Sequence, residues 1–190
     1  MYENCVVLAG GKSSRMGRDK ALLPFENFHT LTHFQVFKFS KIFKNVFVSS
    51  KFDKFSGEFK FIKDTFDDFS PMGGLYSVLS NFKNKNVFIM AVDMPFVKFQ
   101  TINLLYENLG KNEICVAKDK EHIHSLCGFY NSNLSDLALS LYEENIHKIK
   151  ALFQKSKFKS VFFDDEKEFL NLNYFDEYEK AIKKGILWKK

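Results

Sequence analysis

Short apolar runs rich in β-branched and aromatic residues alternate along the chain with longer amphipathic runs. The short runs are typical of buried strands, which we predict at residues 6–9, 46–49, 59–62, 87–92, 114–117, 125–130 and 161–163. The longer runs have the length of helices, which we predict near residues 30–44, 74–82, 99–108, 135–143, 146–155 and 176–183. This alternation predicts an α/β fold in which helices cover a mostly parallel sheet.

The length of the chain predicts one domain. Its 190 residues are enough for a hydrophobic core that needs no disulfide or metal ion to stabilise it. No internal repeat, low-complexity tract or linker rich in Pro, Gly and Ser divides the sequence. The 24 phenylalanines often alternate with lysine, as in residues 34–43, and this pattern predicts core positions beside solvated faces. We therefore expect residues 1–190 to form a single domain.

The charge of the chain is only mildly basic. It has 28 Lys and Arg residues against 23 Asp and Glu residues, a formal net charge of +5, and the charges are interspersed. Such a balance favours anionic small molecules about as well as nucleic acid. Because no platform of interleaved basic and aromatic residues for single-stranded nucleic acid is present, we predict no nucleic-acid partner.

The three cysteines predict neither a disulfide framework nor a zinc site. Their number is odd and no C-x-x-C pair occurs. Cys5 and Cys115 lie in apolar runs, and we expect these two and Cys127 to pack inward as small apolar side chains. No signal-peptide pattern begins the chain and no apolar run is long enough to cross a membrane. We expect a cytoplasmic protein with no membrane partner.

Residues 5–23, CVVLAGGKSSRMGRDKALL, hold the most distinctive chemistry of the chain. Gly10 and Gly11 follow the first predicted strand, and paired glycines allow backbone N–H groups to point toward an anion. Four cations lie in the next part of the loop, namely Lys12, Arg15, Arg18 and Lys20. The pattern predicts a polyphosphate-binding loop, and a basic surface loop is the alternative.

Two common phosphate-binding motifs do not fit this loop. A Walker A motif needs a glycine five residues before its Gly-Lys-Ser, where this sequence has Val6 ahead of Gly11, and a dinucleotide-binding G-x-G-x-x-G is absent. Residues 8–23, LAGGKSSRMGRDKALL, instead closely resemble the signature of the nucleotidyltransferases, and most closely that of the molybdenum cofactor guanylyltransferase family. The length of this agreement disfavours the basic surface loop.

The resemblance implies a three-layer, Rossmann-like nucleotidyltransferase fold with a mostly parallel mixed sheet. It implies an enzyme that transfers GMP from GTP to molybdopterin, forming molybdopterin guanine dinucleotide and pyrophosphate. The N-terminal half would bind the nucleotide and the C-terminal half the acceptor. In the opening loop the implied GTP contacts are Leu8, Ala9, Gly10, Gly11, Lys12 and Lys20. Arg15 and Lys20 are the implied catalytic cations.

Two further segments resemble the nucleotide-binding parts of the family. Asp64 follows the third predicted strand and resembles an aspartate that contacts the nucleotide ahead of a G-P-L-x-G segment. That segment reads SPMGG at residues 70–74, and Gly73 and Gly74 still permit close approach of the backbone to the nucleotide. Ser50 is the nearest match to the family's base-binding asparagine, and an ordinary loop serine is an equal alternative.

Asp93 follows the predicted strand at residues 87–92 and begins the tripeptide Asp93-Met94-Pro95. A carboxylate at the end of a buried strand can hold Mg²⁺ together with phosphate oxygens. An aspartate that forms a turn before Pro95 is the alternative. Because the tripeptide resembles the family's D-x-P motif, we predict Asp93 as the Mg²⁺ ligand, a GTP contact and a catalytic residue.

The predicted acceptor-binding residues lie later in the chain. Residues 124–127, HSLC, resemble the family's H-P-T-x-x-L stretch, which implies that His124 lines the acceptor site. Alternation places His122 on the same side of an extended chain, so a two-histidine metal site is an alternative that lacks a third ligand. His147 and Lys148 are candidates to contact the pterin phosphate, and a solvated helix end explains them equally well.

Residues 171–173, NLN, resemble an N-x-N motif that precedes the closing helix of the family. Asparagine at a helix entry is also a common N-cap, so a function for this motif does not follow from the sequence.

Three other functions are also compatible with the sequence. A molybdenum cofactor cytidylyltransferase or a sugar-phosphate nucleotidyltransferase would share the opening loop. A non-catalytic nucleotide-binding partner of molybdoenzymes or of cofactor-biosynthesis proteins is a third alternative. The presence of Lys20 and Asp93 argues against a catalytically silent protein.

Overall fold

The computed structural model describes residues 1–11 and 16–183. Its strands are β1 (Tyr2–Leu8), β2 (Phe43–Ser50), β3 (Lys60–Lys63), β4 (Asn86–Ala91), β5 (Ile114–Lys118), β6 (Ile123–Asn131) and β7 (Phe158–Phe162). Its α-helices are α1 (Leu31–Phe39), α2 (Pro71–Leu79), α3 (Phe99–Leu109), α4 (Ser135–Glu143), α5 (Lys150–Gln154) and α6 (Phe175–Lys183). Within the described residues, each predicted strand overlaps an observed one.

The strands form one sheet in the order β3-β2-β1-β4-β6-β5-β7. Strand β6 runs antiparallel to both of its neighbours, β4 and β5, and the other neighbouring pairs are parallel. The prediction of an α/β fold with a mostly parallel mixed sheet is therefore confirmed. The carboxyl ends of the parallel strands lie at the same edge of the sheet as the amino end of β6.

Helices cover both faces of the sheet and give three layers. One core cluster contains Cys5 and Val7 of β1 with buried residues of α1, α3 and α6. The other contains Val6 of β1 with buried residues of α2, α4 and α5. This division follows from the alternation of side chains along a strand. Cys115 and Cys127 are buried in the first cluster, so the prediction that the cysteines pack inward is confirmed.

Two helix predictions were too long. The helix predicted at residues 30–44 ends at Phe39, because the chain turns at Ser40 and enters β2 at Phe43. The helix predicted at residues 146–155 is limited to α5. Asn145 has a positive φ of 61° in the turn that ends α4, and residues 146–148 have no regular secondary structure.

A bulge interrupts the pairing of β5 with β6. Val116 pairs with Gly128 and the next residue, Ala117, pairs with His124, so residues 125–127 lie between the two pairs. A Cβ on Gly128 would lie 2.5 Å from the Cys115 carbonyl oxygen, so this position tolerates only glycine. Beyond the bulge the two strands pair again in a shifted register, with Lys118 opposite Ile123. Within the part of the chain that the structure describes, every helix is too short or too polar to cross a bilayer.

Candidate active site

A cavity of about 1060 Å³ opens at the edge of the sheet where the parallel strands end. Its walls come from the loops that follow β1, β2, β3, β4 and β5, from the start of β6, and from the segment before α6. Ligands of open α/β sheets bind at this edge. The volume lies just above the usual range for small-molecule sites, which is about 300–1,000 Å³.

Leu8, Ala9, Gly10 and Gly11 lie on the wall of this cavity, as predicted for the nucleotide loop. A Cβ on Gly10 would lie 3.1 Å from the Asp64 carboxylate and 3.4 Å from the Cα of Ser50. Glycine therefore allows the first loop to approach the ends of β2 and β3 closely. The predicted residues Lys12 and Arg15 lie outside the described residues.

The ammonium of Lys54 holds the two ends of this loop. Its Nζ donates a 2.6 Å hydrogen bond to the Ala9 carbonyl oxygen and lies 2.6 Å from the Asp19 carboxylate. The Lys54 side chain is only 6% exposed. Residues 10–18 are thus bracketed by contacts to one buried cation. The residues around Lys54 do not indicate this contact, because Lys54 lies in a different loop.

Asp64 follows β3 and faces the cavity. It accepts a 3.1 Å hydrogen bond from the Ser49 hydroxyl. Burial raises the pKa of Asp64, and the Ser49 hydrogen bond with nearby Lys51 and Lys54 opposes the shift. Ser50, in contrast, donates its hydroxyl to the Phe52 carbonyl oxygen at 2.6 Å, so the structure does not bring this hydroxyl to the cavity wall.

Residues 70–74 form the start of α2. The Ser70 hydroxyl accepts a 3.0 Å hydrogen bond from the Gly73 N–H and caps the helix. The serine that replaces the family's glycine therefore stabilises this helix end. Gly73 and Gly74 line the cavity, and a Cβ on Gly73 would lie 3.0 Å from the Phe66 ring.

Lys20 and Asp93 form an ion pair on the wall of the cavity. Lys20 Nζ lies 2.9 Å from Asp93 Oδ2 and donates a 2.8 Å hydrogen bond to Asn173 Oδ1. The Leu172 N–H donates to the Asp93 carbonyl oxygen at 2.9 Å. The segment before α6 therefore closes on the loop that follows β4. The Asn173 amide contacts Lys20, so its role is more than that of an ordinary helix cap.

Two buried side chains of α1 bind the backbone of the loop that follows β4. Gln35 donates a 3.2 Å hydrogen bond to the Val92 carbonyl oxygen. Lys38 donates to the carbonyl oxygens of Pro95 at 2.7 Å and Val97 at 2.5 Å. Lys38 is 1% exposed, so the prediction that the lysines of residues 34–43 lie on solvated faces is wrong for this one. Burial lowers its pKa to about 7.

The far wall of the cavity contains His124. Its Nε2 lies 2.8 Å from the Asp119 carboxylate, and its ring stacks on Phe169 with centroids 4.5 Å apart. Burial alone would raise the pKa of Asp119, but hydrogen bonds from the His122 and Glu121 N–H groups and the His124 ring lower it overall. His124 is therefore fixed in orientation by a buried carboxylate.

His147 and Lys148 are not brought to the cavity wall. His147 Nδ1 lies 2.8 Å from the Ser70 hydroxyl at the start of α2, and Lys148 is exposed. Both acceptor contacts stay predictions. Among residues 1–11 and 16–183, no three His, Cys, Asp or Glu side chains group closely enough to hold a metal ion, so the two-histidine metal site has no third ligand there.

Comparisons with known proteins agree with this geometry. The model of the MobA-like NTP transferase domain matches residues 5–160. A molybdenum cofactor guanylyltransferase of Campylobacter jejuni subsp. jejuni serotype O:6 is 52% identical over 180 residues, 93% of this chain and 94% of that protein. The chain belongs to the MobA-like NTP transferase family. Its predicted resemblance to the molybdenum cofactor guanylyltransferases is confirmed.

Other relatives of this MobA-like transferase extend over nearly the whole chain. A molybdenum cofactor guanylyltransferase of Helicobacter pylori strain G27 is 30% identical over 184 residues, 94% of this chain and 90% of that protein. The crystal structure of molybdopterin-guanine dinucleotide biosynthesis protein A from Archaeoglobus fulgidus superposes with a TM-score of 0.80 at 22% identity, covering 95% of this chain and 97% of that one. This structural likeness confirms the predicted Rossmann-like nucleotidyltransferase fold.

Proposed function

We propose that this chain transfers GMP from GTP to molybdopterin and releases pyrophosphate. The observation that carries the proposal is the 52% identity, over 93% of the chain, to a protein named molybdenum cofactor guanylyltransferase. The geometry supports it, because one cavity joins the glycine loop, the Lys20–Asp93 pair and the His124 wall. Two substrates bound side by side would meet at Lys20 and Asp93.

The chain's own groups would act mainly by positioning and by neutralising charge. The backbone of residues 8–11 and Lys20 would hold the triphosphate, and Asp64 would contact the nucleoside. An oxygen of the pterin phosphate would attack the α-phosphorus of GTP, forming one P–O bond. The bond between the α-phosphorus and the bridging oxygen would break, and pyrophosphate would leave with that electron pair. The transfer needs no covalent enzyme intermediate.

Asp93 has the surroundings expected of a Mg²⁺ ligand. Mg²⁺ in such sites takes one or two carboxylates and completes its coordination with phosphate oxygens and water. The Asp93 carboxylate faces the cavity and already binds a cation, the Lys20 ammonium. A bound Mg²⁺ would neutralise negative charge on the phosphates during transfer. Asp93 would hold the ion, and Lys20 would move from Asp93 to a phosphate oxygen.

The two halves of the chain would divide the substrates. Residues of the N-terminal half, up to Asp93, provide the glycine loop, Asp64 and the start of α2. The C-terminal half provides Asp119, His124 and the segment before α6. We therefore propose one nucleotidyltransferase domain in which the first half binds GTP and the second half binds molybdopterin.

Nucleotide choice provides the direct test. The purified chain would be incubated with Mg²⁺, molybdopterin and GTP, CTP or UTP, and pyrophosphate release would be measured. We expect release with GTP to exceed release with either pyrimidine nucleotide by about 10²-fold or more, because a site that hydrogen-bonds one base leaves polar groups unpaired with another. Faster release with CTP would indicate a cytidylyltransferase. Tight GTP binding without release would indicate a non-catalytic binding protein.

Lys54→Met is expected to weaken GTP binding about tenfold, since a hydrogen bond to a charged group contributes about 1.5–3 kcal/mol and this ammonium holds both ends of residues 10–18. The affinity would be measured by titration calorimetry without acceptor. The exposed Lys83 offers a charge-matched control, Lys83→Met, which should keep the original affinity. Equal affinities in both variants would contradict a role for Lys54 in ordering the loop.

A further inference from the structure

The loop after β4 is held at four carbonyl oxygens around Asp93, those of residues 92, 93, 95 and 97. Gln35 binds the Val92 carbonyl oxygen, and the Leu172 N–H binds that of Asp93 itself. Lys38 binds the carbonyl oxygens of residues 95 and 97. The backbone on either side of the Asp93 carboxylate is therefore fixed by two side chains from a single helix, α1.

This arrangement is costly for the fold. Transferring an ammonium from water into a protein interior is unfavourable unless hydrogen bonds and charges compensate it. Lys38 lies among apolar side chains, with the rings of Phe34 and Phe39 within 6 Å of its Nζ at 5.8 and 5.6 Å. The titratable groups that influence it are the buried Cys127 thiol, Glu168 and Glu26. A methionine could fill the same space without this cost.

Gln35 repeats the pattern one turn earlier in α1. It is fully buried, and its Nε2 binds the Val92 carbonyl oxygen while its Oε1 accepts no hydrogen bond from any described residue. An unpaired buried oxygen costs about 1–3 kcal/mol. Two neighbouring positions of one helix thus keep polar groups at a cost to stability, and both direct a donor at the loop that carries Asp93.

We propose that Lys38 and Gln35 are positioning residues that hold residues 92–97 so that the Asp93 carboxylate is presented to the metal–nucleotide complex. The inference rests on the proposed function, because it assumes that Asp93 binds the metal ion. Outer partners of metal ligands commonly change metal affinity by about 10–100-fold when they are removed. Neither residue is among those that line the cavity, so both act through Asp93.

Lys38→Met tests the proposal in the full-length chain. Hydrogen–deuterium exchange of the peptide covering residues 92–98 reports on the loop directly, and we expect exchange to accelerate about tenfold, because local opening becomes easier when its anchors are lost. Dissociation constants for GTP, measured without acceptor in EDTA and in Mn²⁺, report on the metal ligand. The Mn²⁺ effect is the ratio of the GTP dissociation constant in EDTA to that in Mn²⁺. We expect this ratio to fall about tenfold in the variant, while the dissociation constant in EDTA stays unchanged.

Two further variants keep the test decisive. Gln35→Met removes one hydrogen bond together with an unpaired oxygen, so it should fold even if Lys38→Met does not, and we expect the same two effects. Lys41→Met removes a charge from an exposed lysine just beyond α1 and should change neither. A merely structural role predicts lower melting temperatures without loss of the Mn²⁺ effect.

The outcomes separate this inference from the proposed function. If Asp93→Asn loses the Mn²⁺ effect while folded Lys38→Met and Gln35→Met retain it, the positioning role is overturned and the proposed function stands. If Asp93→Asn itself retains the Mn²⁺ effect, the metal role of Asp93 is wrong, and the inference fails with it. Loss of the effect in all three variants, with faster exchange in the two helix variants, supports the proposal.

Discussion

Replacing Asp93 with asparagine is expected to lower Mg²⁺-dependent transfer by about 10²-fold or more, the scale on which single electrostatic groups act in active sites. Asparagine has nearly the same shape but lacks the charge that would bind the ion. The fold should remain, because Asn173 still binds the Lys20 ammonium and the asparagine side-chain oxygen at position 93 can accept a hydrogen bond from it. Steady-state pyrophosphate release as a function of Mg²⁺ concentration, together with thermal unfolding, would measure both effects.

Asp67→Asn is the matched control for this experiment. Asp67 is exposed in the loop after β3, and its replacement changes the charge of the chain by the same amount. We expect normal turnover and normal Mg²⁺ dependence in this variant. If Asp93→Asn turned over at the original rate with unchanged Mg²⁺ dependence, Asp93 would not be the metal ligand, and the ion would have to bind elsewhere.

Replacing Lys20 with methionine is expected to have the second-largest effect. The catalytic efficiency with GTP should fall by about 10–100-fold, because a charge-assisted hydrogen bond to phosphate would be lost. The structure adds a less obvious expectation. Lys20 is the counterion of Asp93 when no nucleotide is bound, so Lys20→Met should bind Mn²⁺ more tightly than the original protein in the absence of GTP.

Lys20→Met should lower the catalytic efficiency with GTP but strengthen Mn²⁺ binding without GTP. These opposite changes distinguish the loss of the Lys20 ammonium from general damage to the site. General damage to the site would weaken both nucleotide and metal binding. Lys111→Met, at an exposed position after α3, should leave both at their original values. Unchanged catalytic efficiency in Lys20→Met would remove Lys20 from the proposed phosphate contacts, and weaker Mn²⁺ binding without GTP would remove it as the counterion of Asp93.

The sequence predicted the parts of the site that are local in the chain. The short apolar run before Gly10 could only be a strand, so the glycine loop was placed correctly at the sheet edge. Asp64 and Asp93 each follow a predicted strand directly, and the carboxyl ends of parallel strands share one edge. Position after a strand was therefore enough to bring these residues to the same cavity.

Contacts between distant parts of the chain could not be predicted in this way. Asn173 contacts Lys20 across 153 positions, and nothing in the residues around Asn173 indicates that partner. Lys38 lies in a Lys/Phe alternation that fits an exposed helix face. Its burial depends on how α1 packs against the loop after β4, which helical periodicity does not specify. The hydroxyl of Ser50 is likewise directed by the turn that follows it.

The antiparallel direction of β6 affects how the choice of acceptor can change. Strand β6 begins at the edge where its neighbours end, and residues 123–126, at the bulge beside β5, line the cavity. These residues belong to the C-terminal half of the chain, whereas the glycine loop follows β1. Under the proposed division of substrates, mutations at the start of β6 could therefore alter the acceptor while leaving nucleotide binding intact, so that a lineage could acquire a new acceptor without rebuilding its triphosphate site.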